Sequence, residues 1–160
     1  MRTIKFRGKT LEDAGLRKAG EWAYGGYFVD YCYGGCSEGK HHIVEWNSTG
    51  MGYFAHTLVE KESVGQFTGL KDKHGKEIYE GDLVKTHDQN NVIEYRHGSF
   101  MIIGLHEDKY ERTYSRFYHY LIDSTIPHVE VSRFDGVTTT LEVIGNRFEN
   151  PELLEGESHV

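Results

Sequence analysis

Two prolines, two cysteines and three methionines are all that the 160-residue sequence holds of those residue types. So few prolines leave almost every position able to donate its backbone N–H, and regular structure is barred almost nowhere. Two cysteines, Cys32 and Cys36, are too few for the disulfide framework that staples small secreted domains, and without an export signal they read as reduced thiols. The start "MRTIKFRGK" has no apolar h-region. No window approaches the roughly 18 apolar residues that a membrane helix requires. The expectation is a cytoplasmic protein with no membrane partner.

What is present favours strands. Aromatic residues make up 13% of the chain, with 11 Tyr, 8 Phe and 2 Trp, which excludes the composition of a disordered segment. Nineteen glycines among many Val, Ile, Thr, Tyr and Phe point to strands joined by tight turns. The net charge of -7 is unevenly spread: residues 1–80 hold 11 basic and 11 acidic groups, and 81–160 hold 7 and 14. Nucleic-acid affinity comes largely from Lys and Arg neutralising phosphates, so the overall balance disfavours general DNA or RNA binding.

Along the chain, a first strand is expected at about 2–7, with Ile4 and Phe6 on one side and Lys5 and Arg7 on the other. "LEDAGLRKAG" has the makings of one or two helical turns from Leu11 to Lys18. "EWAYGGYFVDYCYGG" reads as two strands around a Gly25-Gly26 turn, and "HHIVEW" and "YFAHTLVE" as two more. "NVIEYRHGSFMIIGL" is a hairpin turning at His97-Gly98. "HEDKYERTYSRFYHYLIDS" fits both a helical stripe and an alternating strand, and is taken as a polar excursion before a strand at about 116–122. "HVEVSRF" and "VTTTLEVIGN" flank an Asp135-Gly136 turn, and "ENPELLEG" is a short-helix signature, with Asn150 as cap and Pro151 in the first position.

The densest stretch is "VGQFTGLKDKHGKEIYEGDLVK", residues 64–85, with four glycines. Those at Gly69, Gly75 and Gly81 read as turns, Gly81 together with Asp82. Glu77-Ile78-Tyr79 reads as a linker that packs Ile78 and Tyr79 inward and launches a strand at Leu83.

"SVGQFTGLKDKHGKEIYEGDLV" (63–84) and "LEVIGNRFENPELL" (141–154), with "IKFRGK" (4–9) and "WAYGGYF" (22–28) in the same order, resemble the YopX family of phage and prophage proteins. The resemblance covers a little under half of the chain. It implies a mainly β protein with an SH3-like barrel element, and brings no catalytic residue set with it. The expected organisation is an amino-terminal β region at 1–62, a barrel-containing region at 63–154 with a variable insertion at about 86–140 and a short C-terminal helix, and a tail at 155–160, with a single compact domain as the alternative.

Candidate chemistry is thin. The glycines of 64–85 lack P-loop spacing, and no Ser or Thr follows a Gly-Lys pair. Cys32, Cys36, His41 and His42 form C-x3-C-x4-H-H, four zinc donors on paper, but neighbouring His41 and His42 face opposite sides of a strand. Asp82, His87 and Asp88 lie close in sequence and read as a solvated strand end. No cofactor, metal or enzymatic activity is expected.

The aromatic-basic stretch "YERTYSRFYHY" is the strongest candidate for a contact surface. Tyr110, Tyr114, Tyr118 and Tyr120 offer rigid amphipathic area, and Arg112 and Arg116 can pair with carboxylates. The expected function is therefore a non-enzymatic accessory protein that binds an unidentified host or phage protein, or a second copy of itself. The alternative is a nucleic-acid-associated SH3-like module using the basic amino-terminal strand and the Tyr/Arg stretch.

Overall fold

The computed structural model describes residues 3–13, 17–31, 38–46, 54–86, 89–96, 98–105, 114–115, 131–132 and 136–154. The chain is mainly β, with 13 strands and two single-turn 3-10 segments among the described residues. It divides into two compact units, Met1–Phe67 and Thr68–Val160. The division falls inside a strand, a few residues beyond the expected boundary at 62/63.

The first unit is built on β1 (Phe6–Lys9), β2 (Trp22–Asp30), β3 (Lys40–Trp46) and β4 (Phe54–Leu58), all antiparallel neighbours in chain order. The 3-10 turn Lys61–Ser63 leads to β5 (Gly65–Lys71), which begins beside β1 at Arg7↔Gly65. Ala23, Ile43 and Val59 are buried at the centre of one sheet face, with Phe6, Tyr27 and Val64 packed against them. An isolated bridge, Thr10↔Val59, joins the end of β1 to the end of β4, so the four strands curl towards each other at one corner. Gly8 permits that approach, since a Cβ there would lie 2.9 Å from the Val59 side chain.

Gly25-Gly26 does not form the expected hairpin turn; β2 runs straight through it. The pair marks a change of partner. Residues 22–25 pair with β1, and 26–30 pair with β3. At the change the backbones are so close that a Cβ on Gly25 would sit 1.9 Å from the Val44 carbonyl oxygen. Glycine in a strand marks a close approach or a corner as readily as a turn, and here it does the former. The expected helical turns at 11–18 are also absent among the described residues. Leu11 and Glu12 form a bend and Ala19-Gly20 a turn, held by Asp13, whose carboxylate accepts from Ala19 N at 3.0 Å and Lys18 Nζ at 2.8 Å. Ile4 lies before β1 and is exposed, and within β1 Arg7 and Gly8 are both buried between half-buried Phe6 and Lys9, so the expected half-buried alternation does not hold.

In the second unit, β7 (Asp82–Thr86), β8 (Gln89–Arg96) and β9 (Ser99–Gly104) form a meander. It is extended by β10 (Tyr114–Ser115) beside β9 and by β13 (Glu142–Asn146) beside β7, all antiparallel. The rest of β5 pairs with β6 (Glu77–Tyr79) and, in parallel, with β12 (Gly136–Thr138), itself paired to β11 (Val131–Ser132). Ile78, Leu83, Val84, Val92, Ile93, Phe100, Met101, Ile102, Ile103 and Leu141 form the core. Glu77–Tyr79 is thus a strand and not a linker: Thr68 Oγ1 donates to the Ile78 carbonyl at 2.8 Å, and Ile78 and Tyr79 are buried. The C-terminal segment is a single 3-10 turn, Pro151–Leu154. Asn150 starts it through its backbone carbonyl, which accepts from Leu153 N at 3.1 Å, while its side-chain Oδ1 accepts from Asn146 N at 3.3 Å and occupies the space a Cβ on Gly145 would take. The strand expected at 116–122 lies outside the described residues.

Gly75 and Gly81 have φ near +84° and +83°, a conformation that side chains strain. Gly75 closes the turn that starts at Asp72, donating to its carbonyl at 2.9 Å. Gly69 shares the positive φ, at +90°, but lies inside β5 and not in a turn. The surroundings separate two of these positions. Nothing lies within 4 Å of a Cβ built on Gly75, whereas one on Gly81 meets the Phe148 ring at 3.2 Å. Gly75→Ala should therefore cost only the conformational penalty, about 1 kcal/mol. Gly81→Val should cost well over ~1 kcal/mol, because strain and overlap add. Denaturant midpoints check both, and a Gly81→Val protein that unfolds like the parent would refute the turn assignment. Asp72→Ala should be costlier than Gly75→Ala, on the order of 3 kcal/mol, because it strips a buried acceptor from three backbone amides.

Candidate functional site

Most of the chemistry-bearing residues singled out from the sequence lie outside the described residues, and those described are structural or not brought together. Asp82 is buried and accepts from Tyr79 N at 2.8 Å, closing the turn around Gly81. His87 and Asp88, its neighbours in sequence, lie outside the described residues, as do Cys32 and Cys36. His41 and His42 are consecutive on β3 and engage different rings, His41 with Tyr27 and His42 with Phe28. Among the described residues no group of three or more His, Cys, Asp or Glu side chains is placed to hold a metal. Of the Tyr/Arg stretch, Tyr110, Arg112, Arg116, Tyr118 and Tyr120 lie outside the described residues. Tyr114 opens β10, where its backbone pairs with Ile103.

What the fold does assemble is a cation-aromatic face on the first unit. Alternation along β1 puts Lys5, Arg7 and Lys9 on one side, away from buried Gly8 and core-packed Phe6. Antiparallel register places Tyr24 opposite Arg7 and Trp22 opposite Lys9. The Lys5 ammonium lies 5.6 Å from the Tyr24 ring centre, the Arg7 guanidinium 4.6 Å from that of Trp22, and the Lys9 ammonium 5.8 Å from the same ring. These are cation–π distances. Arg7 is 5% exposed, so its guanidinium works largely as a support beneath Trp22.

The same face continues along β2. Tyr24, Gly26, Phe28 and Asp30 are exposed in alternation with buried or half-buried Ala23, Gly25, Tyr27 and Val29. Phe28 stacks on His42 with ring centres 4.9 Å apart and planes 9° from parallel, and His56 of β4 stands edge-on to both. The opposite face is internally satisfied. The Tyr27 hydroxyl lies 2.5 Å from His41 Nδ1. Burial pushes the Tyr27 phenol above its ordinary value. Glu45 is held in a two-pronged ion pair by Arg17.

The sequence signal for the face lay in two short strings, "KFRGK" and "WAYGGYF". The first read as an ordinary half-buried strand and the second as part of a hairpin. Only the register of β1 against β2 shows that the cations of one string stand over the rings of the other.

His42 is the titrating group that this geometry perturbs. Its Nδ1 is buried without a hydrogen-bond partner. Burial therefore lowers the pKa, and the nearby His56, Lys40 and His41 lower it further, against an opposing pull from Asp30. A histidine with a folded-state pKa below the unfolded value of 6.5 stabilises the fold above that value, and the stabilisation is lost as pH falls through the lower folded pKa. The denaturation midpoint should therefore drop as pH is taken from 7.5 to 5. His42→Phe, which keeps a ring against Phe28, should show a smaller drop; an unchanged pH profile would place the titrating group elsewhere.

Comparison with known proteins places the chain in a family without assigning it a chemistry. No curated protein matches it. A similar solved structure, the crystal structure of protein EF1440 from Enterococcus faecalis, shares 22% identity over 97% of this chain and 100% of that one, with a TM-score of 0.44. The family model described as YopX protein matches residues 27–155. That span runs from the second half of β2 through β13 and takes in Ile43 and Val59 of the first core and the whole of the second, and the chain belongs to the YopX protein family.

Proposed function

We propose that the protein is a non-enzymatic accessory module of phages or prophages that acts in the cytoplasm of the host cell by binding another protein through the segment around β10. The observation that carries this reading is the position of β10 at the end of its sheet among the described residues, in the order β10-β9-β8-β7-β13. Its neighbour β9 is buried from Phe100 to Gly104 and belongs to the core. The Tyr/Arg stretch is thus tied at Tyr114 to a rigid strand, and loops or edges carried on a rigid scaffold are where recognition is most often placed. An end strand can also extend its hydrogen-bonded ladder to an incoming peptide, the means by which many domains capture extended segments.

The scaffold supports an SH3-like barrel element in the second unit, left open among the described residues. The meander β7-β8-β9, the return of β13 beside β7 and the closing 3-10 turn at Pro151–Leu154 supply its parts. Tyr and Arg are over-represented among residues that dominate binding energy, and the stretch supplies four of the first and two of the second.

The test is capture of a partner from infected host cells by the full chain and by an Arg112→Ala/Tyr114→Ala variant. The variant should melt within a few degrees of the parent and lose the captured protein or self-association. A large fall in melting temperature with capture unchanged would put the stretch in the core and the interface elsewhere.

A further inference from the structure

We propose that His42 and His56 form an acid-sensitive latch between β3 and β4: uncharged, the two imidazoles pack together, and when both take up protons β4 separates from β3 while the rest of the fold stays in place. The latch lies within the first unit and stands independently of a protein-binding role for β10. It is a local opening, distinct from the pH dependence of the global denaturation midpoint.

The register sets the pair. Phe28 of β2 and Leu58 of β4 are the cross-strand neighbours of His42, and His56 stands opposite Val44, one step along the same face. The His42 and His56 ring centres are 5.3 Å apart, nearer than the 6.1 Å from His56 to Phe28. His42 is 9% exposed and its Nδ1 has no hydrogen-bond partner, whereas His56 is exposed. The first proton therefore goes to His56 at little cost. The second must enter a buried ring with no acceptor for its new N–H, beside a charge already in place.

The charges around the pair leave that second proton unbalanced. Among the described residues, Asp30 and Phe28 face His42 from β2, Lys40 from its own strand and His56 from β4, with His41 adjacent on the opposite face. Asp30 and Lys40 are register partners, so one charge of each sign is present when the imidazoles are neutral. With both protonated, the face carries two cations in excess. Parting the rings and wetting His42 relieves both the repulsion and the buried charge.

The ladder decides which strand yields. β3 is paired on both sides, and moving β2 would also break its pairing with β1. β4 is the end strand of its sheet among the described residues. Beyond its ladder with β3, its last residue is tied down where Leu11 N donates to the Leu58 carbonyl at 3.0 Å. Release of β4 uncovers the edge of β3, whose freed N–H and C=O groups can accept another strand.

Amide hydrogen exchange on the full chain, corrected for the intrinsic pH dependence of exchange, tests this. Alternate residues of an antiparallel strand bond to a given neighbour. Val59 N donates to the His41 carbonyl at 2.9 Å, so the amides of Ala55 and Thr57 also point to β3 and report its separation from β4, while those of His42 and Val44 point to β2. A group that takes up one proton on opening raises the opening constant by at most about tenfold per pH unit. Between pH 6.5, the unfolded pKa of His42, and pH 5 the protection of Ala55 and Thr57 should therefore fall about tenfold. The amides of His42 and Val44 and of the β8-β9 ladder should keep theirs. His42→Phe, which leaves a ring against Phe28, should abolish the fall. His56→Gln, at an exposed position, should reduce it to about threefold, because the buried ring then titrates without a neighbouring charge. An equal loss of protection at His42 and Val44 overturns the proposal, since the whole sheet would then be opening. So does unchanged protection of Ala55 and Thr57 down to pH 5, and so does an undiminished fall in either variant.

Discussion

The carboxylate of Asp72 is the constraint around which the second unit is arranged. It is 2% exposed, and it accepts from the backbone amides of His74 and Lys76, each at 2.8 Å, and of Val143 at 3.2 Å. The first two bonds fold the turn between β5 and β6, aided by Asp72 N donating to the Lys76 carbonyl at 2.7 Å. The third reaches across 71 positions in sequence to β13, beside Lys73 N donating to the Leu141 carbonyl at 2.9 Å. A buried charge is tolerated only when its hydrogen bonds are made, so the turn and the start of β13 must form together. Leu141 is thereby drawn into the core, where it is buried with Ile78, Leu83 and Val84.

The second turn repeats the device with different residues. Asp82 accepts from Tyr79 N, Gly81 N donates to the Ile93 carbonyl, and Arg147 N donates to the Gly81 carbonyl. Asn146 at the end of β13 then accepts from Phe148 N and Glu149 N, each at 3.0 Å, and leads the chain into its last turn. The two sequence blocks "DKHGKEIYEGD" and "GNRFEN" therefore make one polar framework. Their density of Asp, Asn and Gly reflects satisfied backbone groups at chain reversals.

Much of this was legible in the sequence because it is local. Gly75 and Gly81 sit where short polar neighbours and positive φ go together, and Ile78 and Tyr79 are the apolar pair between them, so inward packing could be read without a structure. The class of fold followed in the same way from alternation in "HHIVEW" and "NVIEYR", which became β3 and β8. The errors arose where one residue type has two physical uses. Glycine in "WAYGGYF" can turn a chain or let another chain close in, and only the partner strand decides; Val44 decided for the second. Among the described residues of 11–18, Asp13 bonds the backbone at Ala19 instead of lying along a helix. The candidate face was hidden for the same reason, since neither "KFRGK" nor "WAYGGYF" states its register against the other.

Net charge illustrates how far a global number is from a local surface. A chain at -7 with 14 acids in its second half is a poor nucleic-acid binder on average. Antiparallel pairing, however, sorts side chains by face and not by sequence neighbourhood. Lys5, Arg7 and Lys9 are spaced by two, so every one of them lands on the same side of β1, while Phe6 and Gly8 go to the other. The change of partner at Gly25-Gly26 then carries β2 from β1 to β3 without reversing the chain. That continuity is what brings the cations of β1 and the Phe28-His42-His56 stack onto one surface. Had the glycines formed the hairpin that their composition suggests, the two halves of β2 would have run antiparallel to each other, and Tyr24 and Phe28 would not flank Gly26 along a single strand. The close approach of Gly25 to Val44, a packing constraint, therefore decides that the rings and charges of β1 and β2 share one sheet face.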